Sequence, residues 1–215
     1  MTFLIWSAPP SYAKDEVVCP TSVASIEGNQ FSVRIIPILS QLYERIGCSL
    51  NLTPLPGRRG IHYFNTEKVD GELARFDVVE EKYKRPFVRS EVPMFLVTGS
   101  LWRHPDHVND TDAKIGYSLG VVWQEEFAKT HKTQMFETTA DLLQAYNSGA
   151  ITALLAVDVA LGWIEEGGLT PPPVRMEVVR EFTSYHYLAE EFAPFMTLVS
   201  EELKNNDLFK AFKNK

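Results

Sequence analysis

From residue 31 to residue 46 the apolar positions Phe31, Ile35, Ile38, Leu39, Leu42 and Ile46 fall at i, i+4, i+7, i+8, i+11 and i+15. That spacing is one face of an α-helix. Gly47 stands where a left-handed residue commonly ends such a helix. Pro37 lies inside the run, and a helix-interior proline costs about 3 kcal/mol, so the turn before it is expected to be frayed or kinked. Residues 16–19 read as a strand before this helix, and residues 50–53 alternate as a strand after it, ahead of Pro54 and a turn at Pro56 and Gly57. A second short helix presents Ile61 and Phe64, and residues 69–74 follow as a third strand. The order β-α-β-α-β is the plan of a parallel sheet.

The plan recurs further along. Residues 114–117 read as a strand, 121–131 as a helix, 133–136 as a strand, 141–146 as a helix and 151–157 as an apolar strand. With a shift of 82 positions, Ile61, Phe64, Asn65, Val69, Leu73 and Ala74 fall on Leu143, Tyr146, Asn147, Ile151, Leu155 and Ala156. Helix, asparagine turn and buried strand therefore repeat in register. Between the halves, residues 86–97 are extended, and Pro171, Pro172 and Pro173 stiffen the entry to another extended stretch, 174–182. Near the end, Phe192, Phe195, Met196, Val199 and Leu203 return to helical spacing. The expected fold class is α/β in two lobes, each a mainly parallel sheet flanked by helices, joined by two crossing hinge segments. Lobe 1 takes 14–95, with 182–215 packing back on it, and lobe 2 takes 96–181.

Composition narrows the function classes. Lys plus Arg number 21 and Asp plus Glu 28, a net charge of −7 in 215 residues, which gives no electrostatic reason to bind nucleic acid. The longest nearly apolar run, 151–164, carries Asp158 in its middle and is shorter than the roughly 18 residues a membrane span needs. No direct membrane insertion is expected. At the start, Phe3, Leu4, Ile5 and Trp6 are apolar, Ala8, Pro9 and Pro10 break the run, and Ser11-Tyr12-Ala13 has the small-x-small form of a signal-peptidase site. Residues 1–13 are read as the remnant of a signal peptide, and the protein as exported to the periplasm. Cys19 and Cys48 are the only two cysteines. A bond between them would add roughly 3–4 kcal/mol in the chain-entropy model. If one lies near the end of a strand and the other near the start of its parallel neighbour, the strand rise of about 3.3 Å per residue holds them apart. A disulfide and two buried thiols both remain open.

Several local runs together resemble one known family. They are Leu42-Tyr43-Glu44-Arg45-Ile46-Gly47, Leu55-Pro56-Gly57-Arg58-Arg59, and Asn65 leading to Val69-Asp70-Gly71-Glu72-Leu73-Ala74-Arg75. Asn147-Ser148-Gly149-Ala150-Ile151, before the strand ending at Asp158, and Ser184-Tyr185-His186-Tyr187-Leu188 continue the series. In this order they resemble the type II periplasmic solute-binding proteins, in the amino-acid (family 3) branch. The resemblance implies a non-enzymatic protein that closes two lobes over a small polar ligand, an amino acid or related carboxylate. The partner it implies is an ABC permease or a membrane sensor, with the binding protein itself a monomer and no cofactor. It further implies that Arg75 holds a ligand carboxylate and Asp158 an ammonium.

Other residues at the expected cleft have two readings each. Arg58 and Arg59 suit an anionic ligand or a helix cap, and Trp123 and Tyr185 suit stacking on a ligand or plain core packing. Arg75 could instead pair with Asp77 or Glu72. Gly116-Tyr117-Ser118-Leu119-Gly120 makes a tight turn onto a helix N-terminus, where free N–H groups and the Ser118 hydroxyl could hold an anion. The same five residues fit the G-x-S-x-G nucleophile elbow, followed by Asp158 and His186 in hydrolase order. A serine hydrolase and a dehydratase-like enzyme with Glu72 as base are therefore the rival readings. His104 and His107 have the spacing of a metal pair without further ligands nearby, so no metal is expected.

Overall fold

In the computed structural model, residues 17–56, 58–158 and 168–212 are described. Helix α1 spans Gln30–Ile46 as one unbroken helix. Asn29 caps its start, with Oδ1 accepting the Ser32 N–H at 3.2 Å. Gly47 ends it at φ 93°, and the Cys48 N–H returns to the Tyr43 carbonyl at 2.9 Å. The turn before Pro37 is not frayed, since the helix runs through it. Pro37 and Val33 are both exposed, so the Val33 carbonyl that loses its helical donor lies on the solvent side. The opposite face buries Ile35, Leu39, Leu42 and Tyr43 completely.

The strands of the first half are β1 (Val23–Ile26), β2 (Leu52–Leu55) and β3 (Gly71–Phe76), with the short helix α2 (Arg59–Asn65) between the last two. Residues 16–19 were expected to form the first strand; the strand lies instead at Val23–Ile26. β2 is shifted two residues beyond the expected 50–53 and includes Pro54. That proline is tolerated because β2 is the outermost strand, paired to β1 alone. β1 pairs in parallel with both β2 and β3.

The displacement of β1 also settles the cysteines. Cys19 lies ahead of β1 and Cys48 ahead of β2, so both sit at the same end of two adjacent parallel strands. They form a disulfide with a Cα–Cα distance of 5.7 Å. The geometric objection assumed opposite strand ends, and that premise does not hold.

The first extended segment divides into β4 (Phe87–Arg89) and β5 (Phe95–Arg103). In the second half, β6 (Ile115–Ser118), α3 (Val122–Ala128), β7 (Thr133–Phe136), α4 (Thr139–Asn147) and β8 (Ala153–Val157) repeat the plan of the first. β6 pairs in parallel with β7 and β8. β9 runs from Val174 to Ala189, well beyond the expected 182, and α5 (Ala193–Asn205) follows it and packs against α1.

The strands form one hydrogen-bonded path, β2-β1-β3-β9-β5-β8-β6-β7, with β4 on the side of β9. The path is continuous because β5 and β9, paired antiparallel, run through both halves. β9 joins β3 in one lobe and β5 joins β8 in the other. Two lobes thus share two long crossing strands, and a cleft remains between them.

Candidate functional site

The cleft lies where strand C-termini and helix N-termini from both lobes converge, the usual ligand position in open α/β sheets. Lobe 1 contributes the end of β1, the start of α1 and the end of β3 with the turn after it. Lobe 2 contributes the end of β6 and the starts of α3 and α4. The internal space is about 140 Å³.

Three of the eight expected site residues line this space: Arg75, Ser118 and Trp123. Arg75 is paired within the chain: its Nε and Nη2 both donate to Glu72 Oε1, at 2.9 and 2.6 Å. Residues i and i+3 of a regular strand face opposite sides, and an irregularity in β3 between Glu72 and Arg75 brings these two together. Gly60 in α2 leaves room for the pair, since a Cβ there would overlap Glu72 Oε1. Burial opposes the charge on Arg75, but the Coulomb attraction of Glu72 and the hydrogen bond to it outweigh this and hold the guanidinium pKa above its ordinary value. Tyr83 donates to the other oxygen, Glu72 Oε2, at 2.5 Å. Burial and the Glu72 charge push the Tyr83 pKa well up, so the phenol keeps its proton. Glu72 is 1% exposed, and its carboxylate is held between Arg75 and Tyr83 and is not among the residues lining the cleft.

The turn after β6 is likewise occupied from within. The Ser118 N–H donates to Gln124 Oε1 at 2.8 Å, and the Gly120 N–H donates to Glu125 Oε1 at 2.9 Å. Two N–H groups of this turn are therefore taken by side chains of α3. Trp123 is 3% exposed and packs against Phe182, with ring centroids 5.3 Å apart. Gly99 in β5 allows that approach, because a Cβ there would lie 2.6 Å from Phe182 and 3.1 Å from the indole. The Trp123 indole N–H is buried with no hydrogen-bond partner.

The other five expected residues do not line the cleft. Glu72 lies behind Arg75. Arg58 reaches across the cleft mouth to Glu125 at 3.4 Å, its side chain 62% exposed, and Arg59 is exposed at the start of α2. Asp158 accepts from Ser100 Oγ at 2.8 Å and from Arg175 Nη1 at 2.6 Å, so its negative charge is compensated within the chain. Tyr185 stands beside Arg75 in the register and carries the Arg89 guanidinium over its ring at 3.9 Å.

No hydrolase triad is assembled. His186 is fully buried, its Nδ1 on the Glu72 and Leu73 carbonyls at 3.1 and 3.0 Å and its Nε2 on the Tyr43 hydroxyl at 2.7 Å. Burial pulls its pKa down to about 4, against a smaller upward pull from the carbonyls. With a neutral ring donating from Nδ1 to the carbonyls, Nε2 accepts from Tyr43 and has no lone pair for Ser118. His104 accepts the Asp106 N–H, and His107 pairs with Asp110. Among the described residues no group of three or more His, Cys, Asp or Glu is placed to hold a metal ion.

Sequence reasoning missed a contact across the cleft mouth. Ile61 of α2, Val79 of the turn after β3 and Val122 of α3 form one buried apolar cluster. With the Arg58–Glu125 pair beside it, this cluster joins the lobes directly and the molecule is in a closed form. The only sequence signal was the apolar character of Val79 and Val122, which also suits ordinary core positions.

No family model matches the chain, and no curated protein matches it in sequence. Solved structures do match. The arginine-bound form of truncated ArgBP from T. maritima has a TM-score of 0.65 at 14% identity, covering 86% of this chain and 94% of that one. The ancestral amino acid-binding protein AncCDT-1, a precursor of cyclohexadienyl dehydratase, gives 0.68 at 16% identity, with 89% and 92% covered. A histidine kinase sensor domain with similarity to periplasmic binding proteins gives 0.67 at 14% identity, with 86% and 88% covered. The chain has the two-lobed, type II periplasmic-binding-protein-like α/β fold that its sequence resemblance implied.

Proposed function

We propose that this chain is a solute-binding protein that closes its two lobes over a small organic molecule and presents the closed form to an ABC-type permease or a membrane-bound sensor. The observation that carries the reading is the buried cleft between the strand ends of two lobes that already touch at its mouth. Ligand contacts to both walls select such a closed form over an open one. Two of the structural neighbours are amino-acid-binding proteins and the third is a sensor domain, in keeping with binding rather than catalysis. They place amino acids and related carboxylates first among the molecules to test.

The lobe boundaries in this reading are 14–95 with 182–215, and 96–181. Export to the periplasm and a monomeric state belong to the same proposal. Residues 1–13, read as a signal remnant, lie outside the described residues. Among the described residues no helix is long and apolar enough to cross a membrane.

A thermal-shift screen tests the reading. A ligand at about 100 times its Kd adds about 2.7 kcal/mol, which at roughly 2–4 °C per kcal/mol moves the midpoint by roughly 5–11 °C for a chain of this size. A panel of amino acids, small carboxylates, polyamines and uncharged aromatic amides is expected to contain at least one such compound. A flat response across the whole panel would refute the binding function.

A further inference from the structure

We propose that His186 is a positioning residue for the cleft: it holds the irregular stretch of β3 and so keeps Arg75 on the cleft wall, paired with Glu72; its bearing on function rests on the cleft being the ligand site. Between the pairs Glu72–Tyr187 and Arg75–Tyr185, two residues of β3, Leu73 and Ala74, stand against His186 alone. Two residues against one make a β-bulge, which re-aims the side chains around it. Residues three apart in a regular strand face opposite sides. The extra residue brings Glu72 and Arg75 to one side, where Nε and Nη2 of Arg75 donate to Glu72 Oε1. Ala74, Arg75 and Phe76 all line the cleft, whereas Glu72 and Leu73 do not. Arg75 is the one charged residue among those lining it, so the bulge decides where that charge stands.

His186 holds the bulge from the side of β9. Its ring is fully buried, with Nδ1 at 3.1 Å from the Glu72 carbonyl and 3.0 Å from the Leu73 carbonyl. Carbonyl oxygens only accept, so Nδ1 carries the proton and donates to both. The other nitrogen, Nε2, then accepts from the Tyr43 hydroxyl at 2.7 Å. Tyr43 belongs to α1 and is also fully buried, and it keeps its proton because burial pushes its pKa up. α1 thus fixes which nitrogen of His186 is protonated, and His186 in turn ties two successive carbonyls of β3. Without that donor the extra residue can be absorbed into regular pairing, which turns Arg75 to the opposite side of β3 from Glu72.

NMR reads this arrangement with no ligand present. In the wild type, heteronuclear spectra near neutral pH are expected to show the His186 ring neutral with its proton on Nδ1, and the Arg75 Nε–H protected from solvent exchange. Arg75→Lys identifies that resonance. A ring proton on Nε2 would overturn the proposal, because Nδ1 could not then donate.

Two amide replacements separate the two edges of the ring. His186→Asn places an amide N–H near the Nδ1 position and gives up the contact to Tyr43. His186→Gln reaches the Nε2 position, keeps the contact to Tyr43 and loses the donor to β3. The Arg75 Nε–H is expected to stay protected in His186→Asn and to exchange roughly tenfold faster in His186→Gln. Were His186 only filling space, the larger glutamine would preserve the site better than asparagine. Loss of protection in His186→Asn, or retention of it in His186→Gln, would overturn the proposal. Should a variant fail to fold, the wild-type tautomer and the remaining variant decide by the same criteria. A thermal-shift panel without a binder refutes the cleft as the ligand site and leaves these NMR outcomes unaffected.

Discussion

In both lobes the last residue of the second helix is an asparagine that pins the segment following the third strand. Asn65 donates from Nδ2 to the Lys82 carbonyl at 2.9 Å and accepts the Lys84 N–H at 2.8 Å. Asn147 donates to the Gly168 carbonyl and accepts the Thr170 N–H at 3.1 Å. Each clamp holds a carbonyl and the N–H two residues later. Around this shared device the lobes differ. Lobe 1 is tied by the Cys19–Cys48 disulfide and covered by α5, whose Phe195 meets Tyr43 edge-on at 4.7 Å. Phe209 and Phe212 close over Phe95 at 5.7 and 4.6 Å. Lobe 2 has a small outer cluster around Leu142, Tyr146, Ile151 and Leu154, and its part of β9 leaves Val174, Met176 and Val178 between 41% and 52% exposed. One chain plan is thus stabilised in two ways: by cross-link and cover in lobe 1, and in lobe 2 by the clamp, a small core and its junction with lobe 1. Local opening is expected to be easier in lobe 2.

The strongest test of this contrast removes the cover. Phe195→Ala is expected to cost about 3–5 kcal/mol in urea denaturation, with amide exchange accelerated first in α1 and α5. Equal acceleration in α4 would mean that the lobes do not differ as described. Cys19→Ser with Cys48→Ser, or reduction of the native protein, should cost roughly 3–4 kcal/mol. A loss under about 1 kcal/mol would show that the cross-link adds little to lobe 1.

Acid should act on lobe 1 through His186. Its folded pKa is about 4, against the ordinary 6.5 that it regains on unfolding. Protons therefore bind the unfolded chain preferentially: this contribution is complete above pH 6.5 and is lost as pH falls from about 6.5 towards 4. The loss amounts to roughly 3 kcal/mol at most. Urea midpoints measured across that window should fall in the wild type, and His186→Gln should flatten the part due to this residue. An unchanged slope in the variant would assign the acid sensitivity to other groups. The smallest effects are expected at the clamps, where Asn65→Ala and Asn147→Ala should each cost about 1–3 kcal/mol. Similar values would confirm one device in two lobes, whereas a silent Asn147→Ala would break the equivalence.

Much of the fold was legible because helical and strand periods are local properties of the chain. The spacing from Phe31 to Ile46 and the glycine at 47 were enough to place α1, and the 82-residue shift correctly paired α2 with α4 and β3 with β8. β1 was missed because the segment Glu16-Val17-Val18-Cys19 has as much strand character as Val23–Ile26. Only pairing with β2 and β3 chooses between them.

The candidate site was less legible, because its chemistry depends on which partners a side chain meets. Sequence gave Arg75, Ser118 and Trp123 as cleft residues, and gave Glu72 as one partner that Arg75 could take. It could not show that an irregularity in β3 turns both groups to one side and buries them as a pair. Nor could it show that Gln124 and Glu125 fold back onto the turn before α3, or that the Trp123 N–H is left without an acceptor. The alternation of apolar and polar positions determined the helices, most of the strands and the two-lobed plan, since those follow from repeat distances along the backbone. The disulfide, the neutralised arginine and the unpartnered indole were decided only by tertiary structure, since each depends on groups that the folded sheet brings within a few ångströms of one another, or leaves apart.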